Sequence, residues 1–360
     1  MLIHNNEKFI VNNEFATEVE KGLNDKQKHI SPKFFYDKNG SRLFEEICEQ
    51  PEYYLNRIES LILKKSVNEI MNMLEQNQIS IIELGNGNSL KTRILLRPFL
   101  SNLKKVCYFP IDVSLKMLKN SIKDLSREYV NLQVLGICSE YISGLIKINE
   151  FIKMNDNIPK RKLIIFLGSS IGNFDPKESV DFLYSLRRYL RREDALLIGI
   201  DLEKDKTILD KAYNDRKGVT AKFNLNILSR INRELGGKFK LSTFEHKSFY
   251  NIQKHRIEMH LESKMDQQVR IEAIGKTFYF KKCETIHTEN SYKYSQNRFK
   301  ELVKNAGLEV TKNFTDPKKQ YSLVLLKKIS DTTKSSKRNS FVRFEIISIT
   351  VPYLQPRSGK

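Results

Sequence analysis

Apolar and polar positions along the middle of the chain predict strands and helices in turn. The apolar run Ile79 to Leu84 predicts a strand that ends in a glycine-containing turn. A helical stretch from Lys91, a strand from Val106 to Val113 and a helix from Ser114 follow it. This order is typical of a parallel sheet with helices packed on its faces, which is an α/β fold.

A second strong strand signal lies at Leu163 to Leu167 and is followed by the loop GSSIGNF. Asp175, Pro176 and Glu178 then provide the cap, the first-turn proline and the capping-box acid of a helix. Apolar residues at helical spacing in this helix are Val180, Leu183, Leu186 and Leu190. The segment therefore predicts another strand and helix, with the next strand at Ala195 to Asp201.

The pattern changes after Glu203. Residues 203–293 predict a helix followed by alternating strands. One strand face carries Ile257, Met259 and Leu261. A helix near 296–306, a strand around Leu308 and the run Tyr321 to Leu326 return to the α/β pattern, and we expect them to complete the first sheet.

The C-terminal end differs in composition from the rest of the chain. Residues 331–360 carry six Lys or Arg against two acidic residues and open with DTTKSSKRNS, a composition that resists packing. We treat residues 329–360 as a basic tail. The whole chain has 360 residues, which at about 150 residues per domain favours two compact units before this tail.

The overall composition is that of a globular protein, with 40% apolar and 29% charged residues. No apolar run approaches the roughly 20 residues of a membrane helix. The N-terminus lacks a basic stretch followed by an apolar one, so no secretory signal is visible. We therefore expect a soluble cytoplasmic protein, and we expect it to be a monomer.

The formal charge of +19 is the one unusual feature of the composition. A strongly basic protein can attract nucleic acid or an anionic membrane. The lysines are spread along the whole chain without one block of interleaved aromatics, so a solvated surface explains the charge better. The four cysteines and six histidines have no metal-binding spacing, and we expect no metal.

A candidate cofactor loop, ELGNGNS (83–89), follows the first predicted strand. Gly85 and Gly87 allow the backbone to turn tightly against a ligand at a helix N-terminus. Leu90 stands where dinucleotide-binding loops have a third glycine, which disfavours NAD. The next strand ends at Asp112, where a carboxylate could bind two ribose hydroxyls, so loop and acid together indicate S-adenosylmethionine.

These residues also have plain structural explanations. Gly85 and Gly87 could form only a tight turn, and Asp112 could cap the helix that follows it. Glu140 and Tyr141 fall after the next strand, where a pair facing the adenine of the cofactor would lie. A helix-start acid and a core tyrosine explain that pair almost as well.

Six segments of the chain carry a family resemblance. In chain order they are KFFYDKNGSRLFEEICEQPEYY (33–54), IELGNGNSLKTR (82–93), FLGSSIGNF (166–174), AYNDRKGVTAKFN (212–224), RIEMHL (256–261) and HTENSYKY (287–294). Together they resemble the histidine Nα-methyltransferases of ergothioneine biosynthesis, whose relatives include the fungal dimethylallyltryptophan N-methyltransferases. The similarity covers residues 15–328 in order and without large gaps, which is far more specific than a lone glycine loop.

The resemblance implies two domains that enclose the substrate. A Rossmann-like S-adenosylmethionine-dependent methyltransferase domain would comprise residues 60–202 and 294–328. A second, α+β substrate-binding domain would comprise residues 12–59 and 203–293. The cofactor contacts of the family match Gly85, Lys91, Asp112 and Tyr141 of this chain.

The resemblance also implies which residues surround an amino acid substrate. Tyr53 and Tyr213 match tyrosines that hold the carboxylate. Tyr36 and Asn173 match residues near the amino group, and Phe44 lines the same cavity. We assign the catalytic role to Tyr36 and Asn173, which would hydrogen-bond the neutral amine.

In the family the imidazole is bound by an acid and a hydroxyl that match Glu289 and Ser291, with a methionine matching Met259 alongside. Glu289 and Ser291 are two residues apart in a strand-like segment and therefore project to one side. Without the resemblance, an ordinary solvent-facing strand would explain the pair, and Met259 would be a core residue.

We therefore expect an enzyme that successively methylates the α-amino group of L-histidine to Nα,Nα,Nα-trimethylhistidine. Two alternatives stay open: the same chemistry on another amino acid or an indole-type amine, and a methyltransferase that binds nucleic acid through its basic charge. Glu289 favours imidazole over indole. The chain has no NPPY-like or Pro-Cys motif, which weighs against the nucleic-acid alternative.

Overall fold

The computed structural model of the chain describes residues 7–74, 77–87 and 89–329. The predicted tail over residues 329–360 lies outside the described residues, apart from its first residue. The described residues up to Ile329 form one compact unit. None of the helices within the described ranges is long and apolar enough to cross a bilayer.

The helices of the described residues are α1 (Glu7–Asn24), α2 (Lys38–Glu49), α3 (Leu55–Leu74), α4 (Leu90–Asn102), α5 (Leu115–Glu128), α6 (Tyr141–Met154), α7 (Pro176–Arg187), α8 (Lys206–Ala212), α9 (Val219–Leu235) and α10 (Gln296–Asn305). The strands are β1 (Gln78–Leu84), β2 (Lys105–Asp112), β3 (Gln133–Val134), β4 (Ile137–Cys138), β5 (Lys162–Phe166), β6 (Ala195–Asp201), β7 (Phe244–Asn251), β8 (Arg256–Ser263), β9 (Gln267–Ile271), β10 (Lys276–Phe280), β11 (Thr285–Tyr292), β12 (Leu308–Thr315) and β13 (Tyr321–Lys328). A short 3-10 turn at Pro32–Phe35 directly precedes Tyr36, and another at Ser170–Asn173 carries Asn173.

The central sheet has the strand order β12-β13-β6-β5-β1-β2-β3, and β4 pairs with the end of β2. Strands β1 to β6 run parallel, whereas β13 pairs antiparallel with β6 and β12. The chain first builds outward from β1 through β2 and then returns to the other side of β1 with β5. In open α/β sheets, ligands bind at the carboxyl ends of the strands beside such a reversal. The predicted Rossmann-like α/β fold is confirmed.

The strands of this sheet are apolar because helices cover both of its faces. Every residue of β1 from Ile79 to Leu84 is buried, as is the whole of β6. Side chains that point to opposite faces of a strand are therefore both in a core, which is usual for parallel sheets. The C-terminal pair β12 and β13 extends the same sheet, so the expectation that this segment completes it is confirmed.

The residues at the start of α7 were largely sufficient to predict where this helix begins. Asp175 caps it, Pro176 opens it, and Glu178 Oε2 accepts the Asp175 N–H at 2.9 Å, which confirms the predicted capping box. The prediction that Leu190 belongs to the same helix is wrong. The helix ends at Arg187 because Tyr189 N–H donates to the carbonyl three residues earlier, which tightens the last turn.

A second, antiparallel sheet has the order β11-β8-β7, and β9 pairs with β10 as a separate hairpin. The predicted shared face of β8 is confirmed, because Ile257, Met259 and Leu261 are all buried. Helix α9 packs against β7 and β8 and also against α2, which carries Phe44. The segment that contains β11 is irregular between His287 and Glu289, where the pairing with β8 shifts by one residue.

Candidate active site

The loop after β1 approaches its neighbours closely. Gly85 has φ 77° and Gly87 has φ 49°, backbone conformations that favour glycine. A Cβ atom at Gly85 would lie 3.2 Å from the hydroxyl of Tyr141. The structure therefore brings this loop and the start of α6 together, as the sequence predicts for a cofactor site.

Asp112 lies at the end of β2 and braces the same loop. Its Oδ2 accepts the Gly87 N–H at 3.3 Å, and its Oδ1 accepts the Ser114 N–H at 2.8 Å. Burial raises the pKa of Asp112, and the hydrogen bonds from backbone N–H groups oppose that rise. Asp112 thus stabilises the loop and the entry to α5, while its half-buried carboxylate keeps room for a further donor.

Tyr141 and Glu140 are adjacent in sequence but have different surroundings. The ring of Tyr141 packs against Phe166 with 5.3 Å between centroids, and burial followed by the charge of Asp112 raises its pKa. The side chain of Glu140 is 68% exposed, and its nearest cation is Lys33, with 3.9 Å between Nζ and Oε1. The structure brings Tyr141, and not Glu140, against the glycine loop.

Lys91 is held by an acid that sequence reasoning missed. Its Nζ lies 2.5 Å from Oε2 of Glu59, which is fully buried in α3. Glu59 also accepts the Gly168 N–H at 2.9 Å and the Tyr321 hydroxyl at 2.7 Å. The sequence does contain an indication of this role, because Glu59 lies four residues from both Leu55 and Leu63 and is therefore a charged residue on the apolar face of α3.

The loop also leaves an unsatisfied polar atom. Asn86 is buried and donates through Nδ2 to Ser89 Oγ at 3.1 Å, but its Oδ1 has no hydrogen-bond partner within the described part of the chain. A Cβ atom at Gly87 would meet nothing within 4 Å. The Asp112 carboxylate and the open space beside Gly87, at the carboxyl ends of β1 and β2, fit a nucleoside that carries hydroxyl groups.

Aromatic rings form a continuous row next to this region. The ring centroids are 5.7 Å apart for Tyr36 and Phe44, 6.3 Å for Phe44 and Tyr53, and 6.1 Å for Tyr53 and Tyr213. All three contacts are edge to face. Phe223 of α9 packs against the first two rings and was not predicted, although it lies in the segment AYNDRKGVTAKFN. The structure thus brings the four predicted aromatic residues together.

A buried polar cluster, which we call the Lys293 cluster, joins the end of this row. It consists of Asp201, Tyr213, Ser291 and Lys293. The Tyr213 and Ser291 hydroxyl oxygens are 2.8 Å apart, and Lys293 Nζ lies 3.0 and 2.8 Å from them. Asp201 Oδ2 lies 2.8 Å from Lys293 Nζ. Sequence analysis missed the lysine, although it continues the alternation of Glu289 and Ser291 in HTENSYKY.

Glu289 faces the same rings without a protein partner. Its carboxylate makes no hydrogen bond to any of the described residues, and burial, opposed by the charge of Lys293, raises its pKa to about 7. Part of its surface stays accessible, so a ligand can reach the carboxylate. The charge of Glu289 raises the pKa values of Tyr36, Tyr53 and Tyr213, after burial as the main cause, so it lies among them.

Residues 15–328 match the sequence family described as histidine-specific, S-adenosylmethionine-dependent methyltransferases. The chain belongs to that family. Its cofactor is therefore S-adenosylmethionine, and the residues at the ends of β1 and β2 fit it. The resemblance drawn from the six sequence segments is confirmed.

Individual relatives agree with this membership. The histidine N-alpha-methyltransferase of Mycolicibacterium smegmatis is 36% identical over 308 residues, which cover 86% of this chain and 93% of that protein. Ergothioneine biosynthesis protein 1 of Schizosaccharomyces pombe is 30% identical over 315 residues, 86% of this chain and 40% of that protein. The 4-dimethylallyltryptophan N-methyltransferase of Claviceps purpurea is 27% identical over 209 residues, which cover 56% of this chain and 60% of that protein.

One candidate catalytic residue of this histidine-specific methyltransferase, Tyr36, belongs to the aromatic row and is also influenced by Asp112 of the cofactor region. Burial raises the pKa of Tyr36 well above its usual value, and the charges of Glu289 and Asp112 add to that rise. Tyr36 is therefore close enough to both regions for a carboxylate in each to raise the pKa of its hydroxyl. Asn173 ends the 3-10 turn that follows β5, and this turn packs against β6 and β11. The Asn173 side-chain amide has no hydrogen bond among the described residues.

Met259 completes the predicted set. It is the cross-strand partner of Glu289 in the pairing of β8 with β11, and it is only 2% exposed. Its side chain is therefore both a core residue and a neighbour of the candidate imidazole site. In a histidine-specific methyltransferase this arrangement can place an apolar contact beside a carboxylate that accepts a ring N–H.

Proposed function

We propose that the chain transfers methyl groups from S-adenosylmethionine to the α-amino nitrogen of L-histidine. Successive transfers yield Nα,Nα,Nα-trimethylhistidine, the histidine betaine of ergothioneine biosynthesis. The observation that carries this proposal is Glu289, a partly accessible carboxylate beside the aromatic row that has no hydrogen-bond partner among the described residues. Family membership and the names of the relatives support the same substrate.

The cofactor is held by the loop after β1 and its neighbours. Bound S-adenosylmethionine supplies an electrophilic methyl group. Asp112 accepts hydrogen bonds from the ribose hydroxyls, and Tyr141 packs beside the adenosine with Gly85 and Gly87 leaving the necessary space. Further cofactor contacts are proposed for Lys91 and Glu140.

Histidine binds with its imidazole toward β11 and its carboxylate toward the tyrosines. Glu289 accepts the ring N–H, Ser291 provides a hydroxyl beside it, and Met259 packs against the ring. Tyr53 and Tyr213 donate to the carboxylate. Because the pKa of Glu289 is about 7, the carboxylate is largely ionised in weakly alkaline solution, which strengthens its bond to the imidazole N–H.

The α-amino group must be unprotonated before its lone pair can attack a methyl carbon. Tyr36 remains a neutral phenol because its pKa is well above the usual value, so it can accept one amine N–H without carrying charge. Asn173 Oδ1 accepts another. The first two methylations each leave an ammonium that must lose a proton, which the Tyr36 hydroxyl relays to solvent, and the third leaves a quaternary ammonium. Tyr36 and Phe44 stabilise that cation through their ring faces, by about 0.5–2 kcal/mol.

The two-domain division is proposed with the boundaries predicted above. Residues 12–59 and 203–293 contribute the substrate contacts other than that of Asn173, whereas residues 60–202 and 294–328 contribute Asn173 and the cofactor contacts and form the central sheet. The positions of the aromatic row and the glycine loop support this division. We further propose that the enzyme is a cytoplasmic monomer that does not bind nucleic acid, which size-exclusion chromatography and salt-dependent gel retardation with RNA test.

Incubation of the purified protein with S-adenosylmethionine and a panel of amino acids tests the function. Mass spectrometry should detect histidine carrying one, two and three added methyl groups, with trimethylhistidine accumulating last. Histamine and Nα-acetylhistidine serve as controls for the carboxylate and for the free amine. Methylation of tryptophan or another amine with no product from histidine would refute the proposal.

A further inference from the structure

The Lys293 ammonium group has no free hydrogen-bond donor. Its side chain is completely buried, and Nζ lies within 3.0 Å of Asp201 Oδ2, Tyr213 Oη and Ser291 Oγ. An ammonium has three N–H bonds, and each has one of these acceptors. Burial alone would lower the pKa of Lys293, but Asp201 and Tyr213 raise it above its usual value. Lys293 is therefore a fixed cation that acts on the two hydroxyls.

The Lys293 ammonium group limits how the Tyr213 and Ser291 hydroxyls can be hydrogen-bonded. Lys293 can only donate, so both Tyr213 Oη and Ser291 Oγ accept from it. The two oxygens are 2.8 Å apart, and one hydroxyl donates to the other. The pair has two protons and only one such bond, so one hydroxyl proton is left without an acceptor inside the cluster. A buried donor without an acceptor is costly, and an acceptor on a bound ligand satisfies it.

The charges around the cluster favour an anionic acceptor. Asp201 is bonded to Lys293 and also to Lys204 and the Tyr54 hydroxyl. Burial lowers the pKa of Lys204 to about 8, so it is mostly charged near neutral pH. One carboxylate between two ammonium groups leaves an excess positive charge, while Glu289, the other acid influenced by Lys293, makes no bond to the cluster. An amino acid offers one anionic acceptor, its α-carboxylate.

We propose that Lys293 is a positioning residue that holds the two hydroxyls so that Ser291 donates to Tyr213 and the Tyr213 hydroxyl donates to the α-carboxylate of the substrate. The proposal rests on the proposed function, because it deepens the recognition of an amino acid at the same site. It predicts that Lys293 governs selection of amino acids over the corresponding amines, without touching the substrate itself.

The experiment compares Lys293→Met with the matched control Lys204→Met, which removes a charge from the same Asp201 but no donor from Tyr213 or Ser291. The KM for histidine should rise about ten- to a hundredfold in Lys293→Met, the loss typical of hydrogen bonds to a charged group. The inhibition constant of histamine, which lacks the carboxylate, should change less than threefold. Lys204→Met should change neither value more than threefold, and S-adenosylhomocysteine binding should be unchanged throughout.

A double-mutant cycle separates positioning from general damage. If Lys293 acts through Tyr213, adding Tyr213→Phe to Lys293→Met should raise the KM less than twofold further. Equal losses for histidine and histamine, or additive effects in the cycle, would overturn the proposal. If Lys293→Met does not fold, the variant that also carries Asp201→Asn removes both charges of the pair and is compared in the same way.

If the proposed function is wrong, the wild-type enzyme will not methylate histidine at all, which distinguishes this outcome from a failure of the Lys293 proposal. The same comparison would be repeated with the amino acid that it does methylate and with the amine that lacks its carboxylate. A KM effect confined to the amino acid would uphold the role of Lys293, and an effect shared with the amine would refute it.

Discussion

Glu289 and Ser291 share one face of β11, but only Ser291 has protein partners. The Ser291 hydroxyl lies 2.8 Å from both Tyr213 Oη and Lys293 Nζ. The Glu289 carboxylate has no hydrogen bond among the described residues, although burial raises its pKa to about 7. A buried carboxylate without a partner is unfavourable for folding, so this difference indicates that Glu289 is kept for a ligand.

Glu289→Ala should reduce histidine turnover far more than cofactor binding. The lost bond between the imidazole N–H and a carboxylate contributes about 1.5–3 kcal/mol, which corresponds to roughly a ten- to hundredfold loss in kcat/KM. The site becomes larger and less polar, so activity on tryptophan or phenylalanine relative to histidine should rise. Steady-state kinetics on the three amino acids measures both effects, and wild-type histidine kinetics in the variant would exclude Glu289 from the imidazole site.

Glu289→Gln should stabilise the folded protein in a pH-dependent way. A pKa of about 7 in the folded state, against the usual 4.5, means that the stability associated with protonated Glu289 is lost as pH rises between these values. The variant should therefore match the wild type near pH 4.5 and exceed it by about 1–3 kcal/mol near pH 8. Urea denaturation at both values measures the difference.

The control for this prediction is Glu301→Gln, which changes an exposed residue of α10. It should show no comparable dependence on pH. A constant stability difference between Glu289→Gln and wild type at both pH values would mean that Glu289 does not titrate as its burial implies.

The sequence predicted those features of the fold that depend on local order. The capping box at Asp175 and Glu178 involves neighbours in the chain, and β6 has the predicted bounds because an uninterrupted run without polar side chains, from Ala195 to Ile200, precedes Asp201. The place of the glycine loop was also predicted, since its glycines follow a strand and precede a helix. The chemistry of these positions is contained within a few consecutive residues.

The missed residues depend on contacts between distant segments. Nothing near Asp201 in sequence indicates that Lys293 will neutralise it, and nothing near Lys91 indicates that Glu59 will bind it. Each pair forms because two elements that are far apart in the chain pack together. Phe223 was missed for the same reason: on a helix, an apolar residue of the core and one that lines a cavity have the same pattern.

Asp112→Ala should weaken S-adenosylmethionine binding at least tenfold, because the proposed bonds from two ribose hydroxyls to a carboxylate are lost. Asp112→Asn separates this effect from damage to the loop, since one oxygen remains to accept the N–H of Gly87 or Ser114. Isothermal titration calorimetry compares both variants with Asp124→Ala on the exposed face of α5. Unchanged affinity in Asp112→Ala would remove this residue from the cofactor site.

Truncation after residue 330 should leave methyl transfer intact. The described residues that carry the candidate site all lie in the compact unit that ends at Ile329. The basic composition of residues 331–360 is poorly suited to a core. Activity and melting temperature of the truncated protein test the prediction, and an insoluble or inactive product would mean that the tail is structural.

Lys91→Met should cost about 2–4 kcal/mol of folding free energy, because it leaves Glu59 as a fully buried carboxylate without its cation. The Gly168 N–H and the Tyr321 hydroxyl remain as donors, but neither carries charge. Urea denaturation measures the loss, with Lys64→Met on the exposed face of α3 as the control.

The double variant Lys91→Met with Glu59→Gln separates the structural role of Lys91 from its proposed cofactor contact. Removing both charges leaves no uncompensated carboxylate, so stability should recover by at least half of the loss. If Lys91 also contacts S-adenosylmethionine, calorimetry on the stable double variant should still show weaker cofactor binding, since the cation is absent. Wild-type affinity in that variant would limit Lys91 to anchoring α4 on α3. Stability that does not recover would instead mean that Glu59 is needed for its bonds to Gly168 and Tyr321, because an amide presents only one acceptor oxygen where the carboxylate presents two.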